Sequence, residues 1–318
     1  MKFSNKFYII IIVTVILYIG FFMFSDLNTI QNKIWEMNLS YLPIILILAP
    51  ISWLIIFLRW HLLLKNSNIT IPFNDNFKIF LSGYAMSATP GKIGEIIKSQ
   101  LLHSKYNVPK KQSIPIIISE QFYNLIGILF ISILGLYYFD FSLYVLLSVG
   151  SATTLIYVLL NSQKLFQKFT NLFSKIKFFQ KFTDGMSDSH SILKKSINGK
   201  IFLLSSSLSI IFWLVESLIV YLVLYSFGIF ELEFLELSAT YTTSIIIGVV
   251  SFLPMGIGVV EGSLAGFFSY HGIELSLALT LVIFIRIFTR WYGVSMGFLA
   301  MKMVCGFSLK QNDKESKQ

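Results

Sequence analysis

Seven ionisable residues stand within or beside stretches of sequence that are otherwise apolar: Lys92, Glu95, Glu120, Glu216, Glu261, Arg286 and Arg290. A charge at the centre of a membrane helix costs about 2.5–3.5 kcal/mol on insertion scales, so each needs an opposite charge or a wet cavity. Glu95 closes the run Pro90-Gly91-Lys92-Ile93-Gly94-Glu95, and Glu261 closes Pro254-Met255-Gly256-Ile257-Gly258-Val259-Val260-Glu261. Proline removes a backbone donor and clashes with the preceding turn, and nearby glycines lower helix propensity further, so a helix should stop at each run. Where a helix restarts past Gly91 or Gly256, its first N–H groups lack internal partners and carry the positive end of the helix dipole. That arrangement suits an anion such as a phosphate. Lys92 adds a full positive charge beside the first break, and Arg286 and Arg290, four residues apart, share a helical face. The chemistry indicated is recognition of an anionic group. Lys92, Arg286 and Arg290 would be its phosphate partners, while Glu95, Glu120, Glu216 and Glu261 balance those charges or bind an amine. The alternative is purely architectural: ion pairs that fix helix register, and glycines (Gly91, Gly94, Gly256, Gly258) that let helices approach closely.

Other chemistries find no support in the sequence. The four histidines, His61, His103, His190 and His271, lack metal-ligand spacing, and the single cysteine, Cys305, cannot form an intramolecular disulfide. Neither break continues as Gly-Lys-Ser/Thr after a soluble strand, which argues against nucleotide hydrolysis. No metal or cofactor is expected. The formal charge is +9, but the lysines fall in gaps between apolar runs instead of forming a basic patch on a polar face, so no nucleic acid is expected as partner.

The elements that must position these residues are membrane helices. The 318-residue chain is 55% hydrophobic and only 13% charged, with a mean hydropathy of +0.73, where a soluble domain carries about 25% charged residues. Crossing about 30 Å of hydrocarbon takes roughly 20 helical residues. Six runs meet that length: 7–24, 42–64, 113–138, 141–161, 201–228 and 275–301. The first resembles a signal peptide but lacks a small-residue cleavage pattern and is read as a retained anchor. Two further stretches, 78–102 and 237–270, are the broken ones. In the first stretch, arms of about 12 residues at 1.5 Å per residue reach only about halfway across, so a re-entrant hairpin fits best, and the second stretch is read the same way. Full crossing by the arms would give eight spans. The fold class is an all-α integral membrane protein forming one polytopic domain over 1–318.

Orientation follows from the basic residues. Lys2, Lys6, Lys65, Lys78, Lys105, Lys110, Lys111, the eight lysines between 162 and 200 and the four from Lys302 onward fall on one side. The other side keeps Lys33, while Arg59, Lys92, Lys98, Arg286 and Arg290 lie in or beside membrane segments. Both termini then face the cytoplasm of a cell membrane. The first hairpin is flanked by Lys78 and Lys105 and the second by Glu236 and Glu274, so they open to opposite sides. Each lies between two spans, giving repeat halves 42–138 and 201–301 in inverted orientation, the sequence pointer to a transporter-like site near the midplane. The polar connection 162–200 carries Leu165, Phe169, Leu172, Phe173, Ile176 and Phe179 at helical spacing among lysines. It suits an amphipathic cytoplasmic segment on anionic lipid, or a helix packed on neighbouring loops. The polar tail from Lys310 is expected to be disordered.

Arg59-Trp60, the run from Pro90 to Glu95, Glu120, and the run from Pro254 to Glu261 together resemble the lysylphosphatidylglycerol synthase transmembrane-region family, also called UPF0104, over nearly the whole chain. The resemblance implies a flippase-like membrane domain that handles lipid. It also implies that synthase activity is absent, because the soluble aminoacyl-transferase domain of the bifunctional members has no counterpart here. Gln121 departs from the arginine expected after the glutamate. Some relatives accompany glycosyltransferases, which would make a polyprenyl-phosphate-linked lipid a substrate and an envelope-synthesis enzyme a partner. The expectation is a non-enzymatic flippase or transporter of an anionic or aminoacylated phospholipid or a polyprenyl-phosphate-linked lipid. The rivals are a lipid-linked glycosyl or phosphoryl transferase using Glu95 or Glu261 as a base, and a noncatalytic partner of envelope-synthesis enzymes.

The topology makes a direct prediction. Single cysteines introduced between 162 and 200 in a Cys305→Ser background should resist impermeant thiol reagents in intact cells, and ready labelling from outside would overturn the orientation.

Overall fold

In the computed structural model the described residues are 35–87, 94–134, 137, 142–173 and 190–315, with side chains to Val304. The expected span 7–24 and the break residues Pro90, Gly91 and Lys92 lie outside them. Every regular element among the described residues is a helix. Four helical stretches are long and apolar enough to cross a membrane: Leu39–Asn66, Lys110–Ser132, Gly199–Ser226 and Leu275–Val304. The protein is an all-α membrane protein.

Helix α1 (Leu42–Asn66) starts where Pro43 sits in its first turn, behind a short 3-10 turn capped by Asn38. Its Pro50 lies inside the helix, as membrane helices tolerate. One face, including Ile45, Ala49, Ser52, Trp53, Ile56 and Trp60, is buried, while Ile44, Ile47, Ile51, Leu54 and Leu58 are exposed. Apolar residues on both faces mark a helix with protein on one side and lipid on the other. Helix α2 (Phe73–Ala85) begins behind Pro72, five residues earlier than the sequence indicated, and helix α3 (Ile97–Tyr106) returns after the first break. Asp75 ties the outer ends of these two arms, accepting hydrogen bonds from Lys105 Nζ at 2.8 Å and from the Tyr106 hydroxyl. The Lys105 and Tyr106 bonds hold its carboxyl below the usual carboxylate range. The clip therefore adds stability near neutral pH and loses it as pH falls through that lowered value.

Helix α4 (Lys110–Ser132) follows Pro109 and ends at Ser132, not near 138. Helix α5 (Ser142–Asn161), helix α6 (Gln163–Phe173) and helix α7 (His190–Ser196) lead to the long helix α8 (Gly199–Ser226). Phe122, Leu160, Phe166, Leu193 and Ile197 form a small satellite core among them. Of the 162–200 segment, residues 174–189 lie outside the described residues, and α6 has one buried and one exposed face. Phe166 and Thr170 are buried, while Leu165, Phe169 and Leu172 remain exposed beside Lys164 and Lys168.

Helix α9 (Phe234–Val250) and helix α10 (Val259–Tyr270) are the arms of the second interrupted segment. The first arm has 17 residues and the second has 12. The break contains a 3-10 turn at Pro254–Gly256, and the helix resumes at Val259 instead of directly after Gly256. The last span is not one uniform α-helix. Helix α11 (Leu275–Arg286) passes through a π turn (Ile287–Trp291) into helix α12 (Tyr292–Glu315). The tail expected to be disordered from Lys310 thus continues as helix to Glu315. Its lysine, glutamine and glutamate residues are good helix formers once a preceding turn supplies the nucleus.

Packing follows a reciprocal pattern. The long helices α1 and α8 pack along each other, α2 packs against α12, and α9 packs against α4. Small residues permit the close approaches. A Cβ at Gly297 would stand 2.8 Å from Leu81 O and 2.9 Å from Tyr84 Cβ, and one at Gly127 would stand 2.8 Å from Ser209 O. Ser132 Oγ donates to Thr242 Oγ1 at 3.0 Å where α4 meets α9.

Gly297→Ala should therefore lower stability by about 1–3 kcal/mol, because backbone must move to admit the methyl. Gly266→Ala, at a helical position with nothing within 4 Å, should change it by about 0.5 kcal/mol or less. Thermal unfolding in detergent checks both, and equal effects would refute the close-packing account.

Candidate functional site

The breaks and the π turn converge on one cavity of about 330 Å³. Its lining includes Arg59, Glu95, Lys98, Glu120, Arg286 and Arg290, together with apolar residues from α1, α4, α8 and α9. Four of the seven charged candidates from the sequence thus meet at one place. Glu216 and Glu261 stand directly behind it as partners of the two lining arginines. Lys92 lies outside the described residues.

The second break shows how local sequence builds this geometry. Phe252 and Met255 have φ of 54° and 53°, the left-handed region that side chains with Cβ atoms rarely adopt, and Gly256 and Gly258 follow at 66° and 84°. Gly256 packs against Gly248 of the first arm, where a Cβ would stand 3.0 Å from Gly248 Cα. With Gly258 as N-cap, Glu261 is the third residue of α10, and its Oε2 accepts the Gly258 N–H at 2.8 Å. Its Oε1 accepts Arg286 Nε at 2.7 Å, while Arg286 Nη2 donates to the Met255 carbonyl at 2.7 Å. The positive end of this helix is thus met by the chain's own carboxylate. Gly258 N–H donates to Glu261, and the Met255 carbonyl accepts from Arg286.

Arg286 precedes the π turn, Arg290 lies within it, and the two take different partners. Arg290 reaches Glu216, with Nη1 3.5 Å from Oε2, and donates through Nη2 to the Tyr241 hydroxyl at 3.3 Å. Its guanidinium lies over the Trp213 ring at 5.7 Å. Glu216 also accepts from Ser52 Oγ at 3.0 Å and from Tyr241 at 3.3 Å, which joins α1, α8 and α9.

On the first-hairpin side the organising residue is Lys98, which is 2% exposed. It donates to Glu120 at 2.6 Å and to Glu95 at 3.2 Å, and its ammonium lies 4.7 Å from the Trp60 ring. Gln121 Nε2 donates to Glu95 Oε2 at 3.2 Å, so the glutamine found where an arginine was expected contacts the first-break glutamate. Arg59, 1% exposed, donates from Nη1 to Ser209 Oγ at 2.7 Å.

Arg59, Lys98, Trp213 and Tyr241 were not singled out as site residues from the sequence. Glu95 and Lys98 do carry a legible signal, an acid and a base three apart immediately after a break. Trp213 and Tyr241 carry none, because aromatic residues at helical spacing read equally well as core. The arrangement provides a charged recess in which four carboxylates (Glu95, Glu120, Glu216, Glu261) face four cations (Arg59, Lys98, Arg286, Arg290) among the described residues. It can bind a polar group, and no three His, Cys, Asp or Glu residues among the described ones are placed to hold a metal.

Removing one member of a buried pair is expected to cost about 3–5 kcal/mol, because the other charge is stranded. Lys98→Met should lower stability by about that much, and Lys98→Met with Glu120→Gln should recover part of it. Arg286→Gln should behave likewise, with recovery on adding Glu261→Gln. Unfolding in detergent measures both cycles, and additive losses would contradict the pairing.

Comparison with known proteins agrees with this architecture. Residues 9–297 match the family described as the lysylphosphatidylglycerol synthase TM region. A UPF0104 membrane protein of Methanothermobacter thermautotrophicus is 20% identical over 326 aligned residues, covering 94% of this chain and 95% of the relative. A UPF0104 membrane protein of Pyrococcus horikoshii is 24% identical over 320, covering 92% and 95%. With the match running through both breaks and the last span, the chain belongs to the lysylphosphatidylglycerol synthase TM-region family, as a multi-helix membrane protein similar to the UPF0104 proteins.

Proposed function

We propose that the protein is a lipid flippase or transporter that moves a phospholipid or polyprenyl-phosphate-linked lipid with an anionic or aminoacylated headgroup across the membrane. The observation that carries this reading is the cavity, whose floor is charged and whose rim is apolar and exposed. Val249, Phe252 and Leu253 line the same recess as the arginines and are themselves exposed, Phe252 by 79%. A lipid has this same division. Its headgroup needs the charged floor, and its acyl chains need an apolar way out. A recess of about 330 Å³ suits a headgroup, not a whole lipid.

The two interrupted segments are read as re-entrant hairpins in inverted halves, 42–138 and 201–301. The reciprocal packing of α2 on α12 and α9 on α4 supports that reading, because a two-fold relation exchanges these contacts. Both termini and the 162–200 segment then lie on the cytoplasmic side. Headgroup translocation would proceed by rocking of one half against the other around the fixed charged site. Lys92, Glu95, Glu120, Glu216, Glu261, Arg286 and Arg290 are the residues proposed to serve the substrate, with Pro90, Gly91, Gly94, Pro254, Gly256 and Gly258 shaping the breaks.

Arg290 offers the cleanest test. Its partner Glu216 keeps Ser52 and Tyr241 when the arginine is replaced, so Arg290→Gln should cost far less stability than Arg286→Gln. Reconstituted into liposomes with labelled phosphatidylglycerol, the wild type should accelerate exchange between leaflets. Folded Arg290→Gln should lose at least about tenfold of that rate, the value of one charge-assisted contact. Wild-type translocation no faster than in empty liposomes for all lipids tried, or a covalent lipid product, would overturn the transport reading.

A further inference from the structure

Among the buried cations of the cavity, Arg59 is differently placed from the other three. Lys98, Arg286 and Arg290 each form an ion pair with a carboxylate, whereas Arg59 forms none among the described residues. Its single hydrogen bond, to Ser209 Oγ, goes to a neutral acceptor, and its Nε has no hydrogen-bond partner. A buried guanidinium left in this state is costly, and no ordinary packing argument requires it, since Ser209 could be satisfied by its own helix through the Ser205 carbonyl. One turn along α8 from Ser209, Trp213 shows the same deficit: its Nε1–H lines up with no acceptor although the residue is buried in the cavity wall. These are two donors without acceptors on residues bordering one recess.

Building on the transport reading, we propose that Arg59 and Trp213 form the phosphate subsite of the cavity, with Arg59 as the anchoring charge. The chemistry fits an oxyanion with at least two free oxygens, one for the guanidinium and one for the indole N–H. The subsite is separate from the two arginines of the last span, whose charges are committed to Glu261 and Glu216. Ser209 holds one edge of the Arg59 guanidinium, which leaves the Nε edge to the ligand. A competing role for Arg59 is to offset through space the extra negative charge of the Glu95–Lys98–Glu120 group. That role would be needed with or without a ligand.

The test compares binding of phosphatidylglycerol with that of diacylglycerol bearing the same acyl chains to the purified full chain in detergent, by ligand-induced thermal shift and by titration. Inorganic phosphate is titrated as a soluble competitor. The wild type should bind phosphatidylglycerol in preference to diacylglycerol. Arg59→Gln should lose about 10- to 100-fold of phosphatidylglycerol affinity with diacylglycerol binding unchanged, while Arg59→Lys keeps part of it and Trp213→Phe, which retains the ring under Arg290, loses a smaller factor. Undiminished preference in folded Arg59→Gln overturns the subsite and leaves the transport reading standing. A wild type that neither prefers the phosphate-bearing lipid nor binds inorganic phosphate overturns both the subsite and an anionic substrate. Binding of inorganic phosphate that depends on Arg59 without any lipid preference keeps the oxyanion site and removes the lipid as its source. If Arg59→Gln does not fold, Arg59→Lys and Trp213→Phe decide, and a thermal loss in both that phosphatidylglycerol leaves unchanged assigns Arg59 to charge balance alone.

Discussion

A charge removed from water must meet its opposite, and nearly every feature of this structure answers that demand. Lys98 draws Glu120 of α4 to the first hairpin, Arg286 draws Glu261 of the second hairpin to the last span, and Arg290 draws Glu216 of the central helix to the same span. Each pair joins two different helices. In lipid, where apolar surface supplies little drive for one helix to seek another, such polar contacts and close small-residue packing are what specify which helices meet. The charge network and the fold are therefore not separable.

Interrupted helices make the network reachable. A continuous span would carry its side chains outward at fixed angles, whereas the break at Pro254–Gly258 turns the Met255 carbonyl and the Gly258 N–H toward the interior, where Arg286 and Glu261 take them. Irregular backbone at this position is tolerable because it lines a cavity inside the protein. In the last span the π turn follows Arg286 and contains Arg290. Arg286 serves the hairpin and Arg290 the central helices.

Balanced charge distinguishes architecture from recognition within the same site. Three cations are held by carboxylates at ion-pair distance, which fixes their geometry. The donors without acceptors, Arg59 Nε and Trp213 Nε1, mark where recognition has capacity to spare. A neutral network with a few uncommitted donors can bind a headgroup and release it, as transport requires, where a strongly cationic pocket would retain it.

From the sequence alone came the solvent, the helical class, four of the long spans, the two broken segments and the acids and bases that had to be paired, because hydrocarbon length, proline chemistry and the cost of buried charge act on the chain locally. The tertiary structure decided the partners. Glu261 was legible as an intramembrane acid, but its bonds to Gly258 and Arg286 depend on how the second hairpin packs on the last span. Arg286 and Arg290 were legible as two cations four residues apart, but that one pairs with Glu261 and the other with Glu216 is set by how the helices pack. Lys98 was readable only as a base three residues after Glu95, and its role emerges from contact with α4. Arg59 was legible as part of the Arg59-Trp60 motif behind the resemblance and as a charge in an apolar helix, but not as a member of the site. That it lacks a carboxylate partner is a property of the assembled cavity, fixed by side chains from helices more than a hundred residues apart.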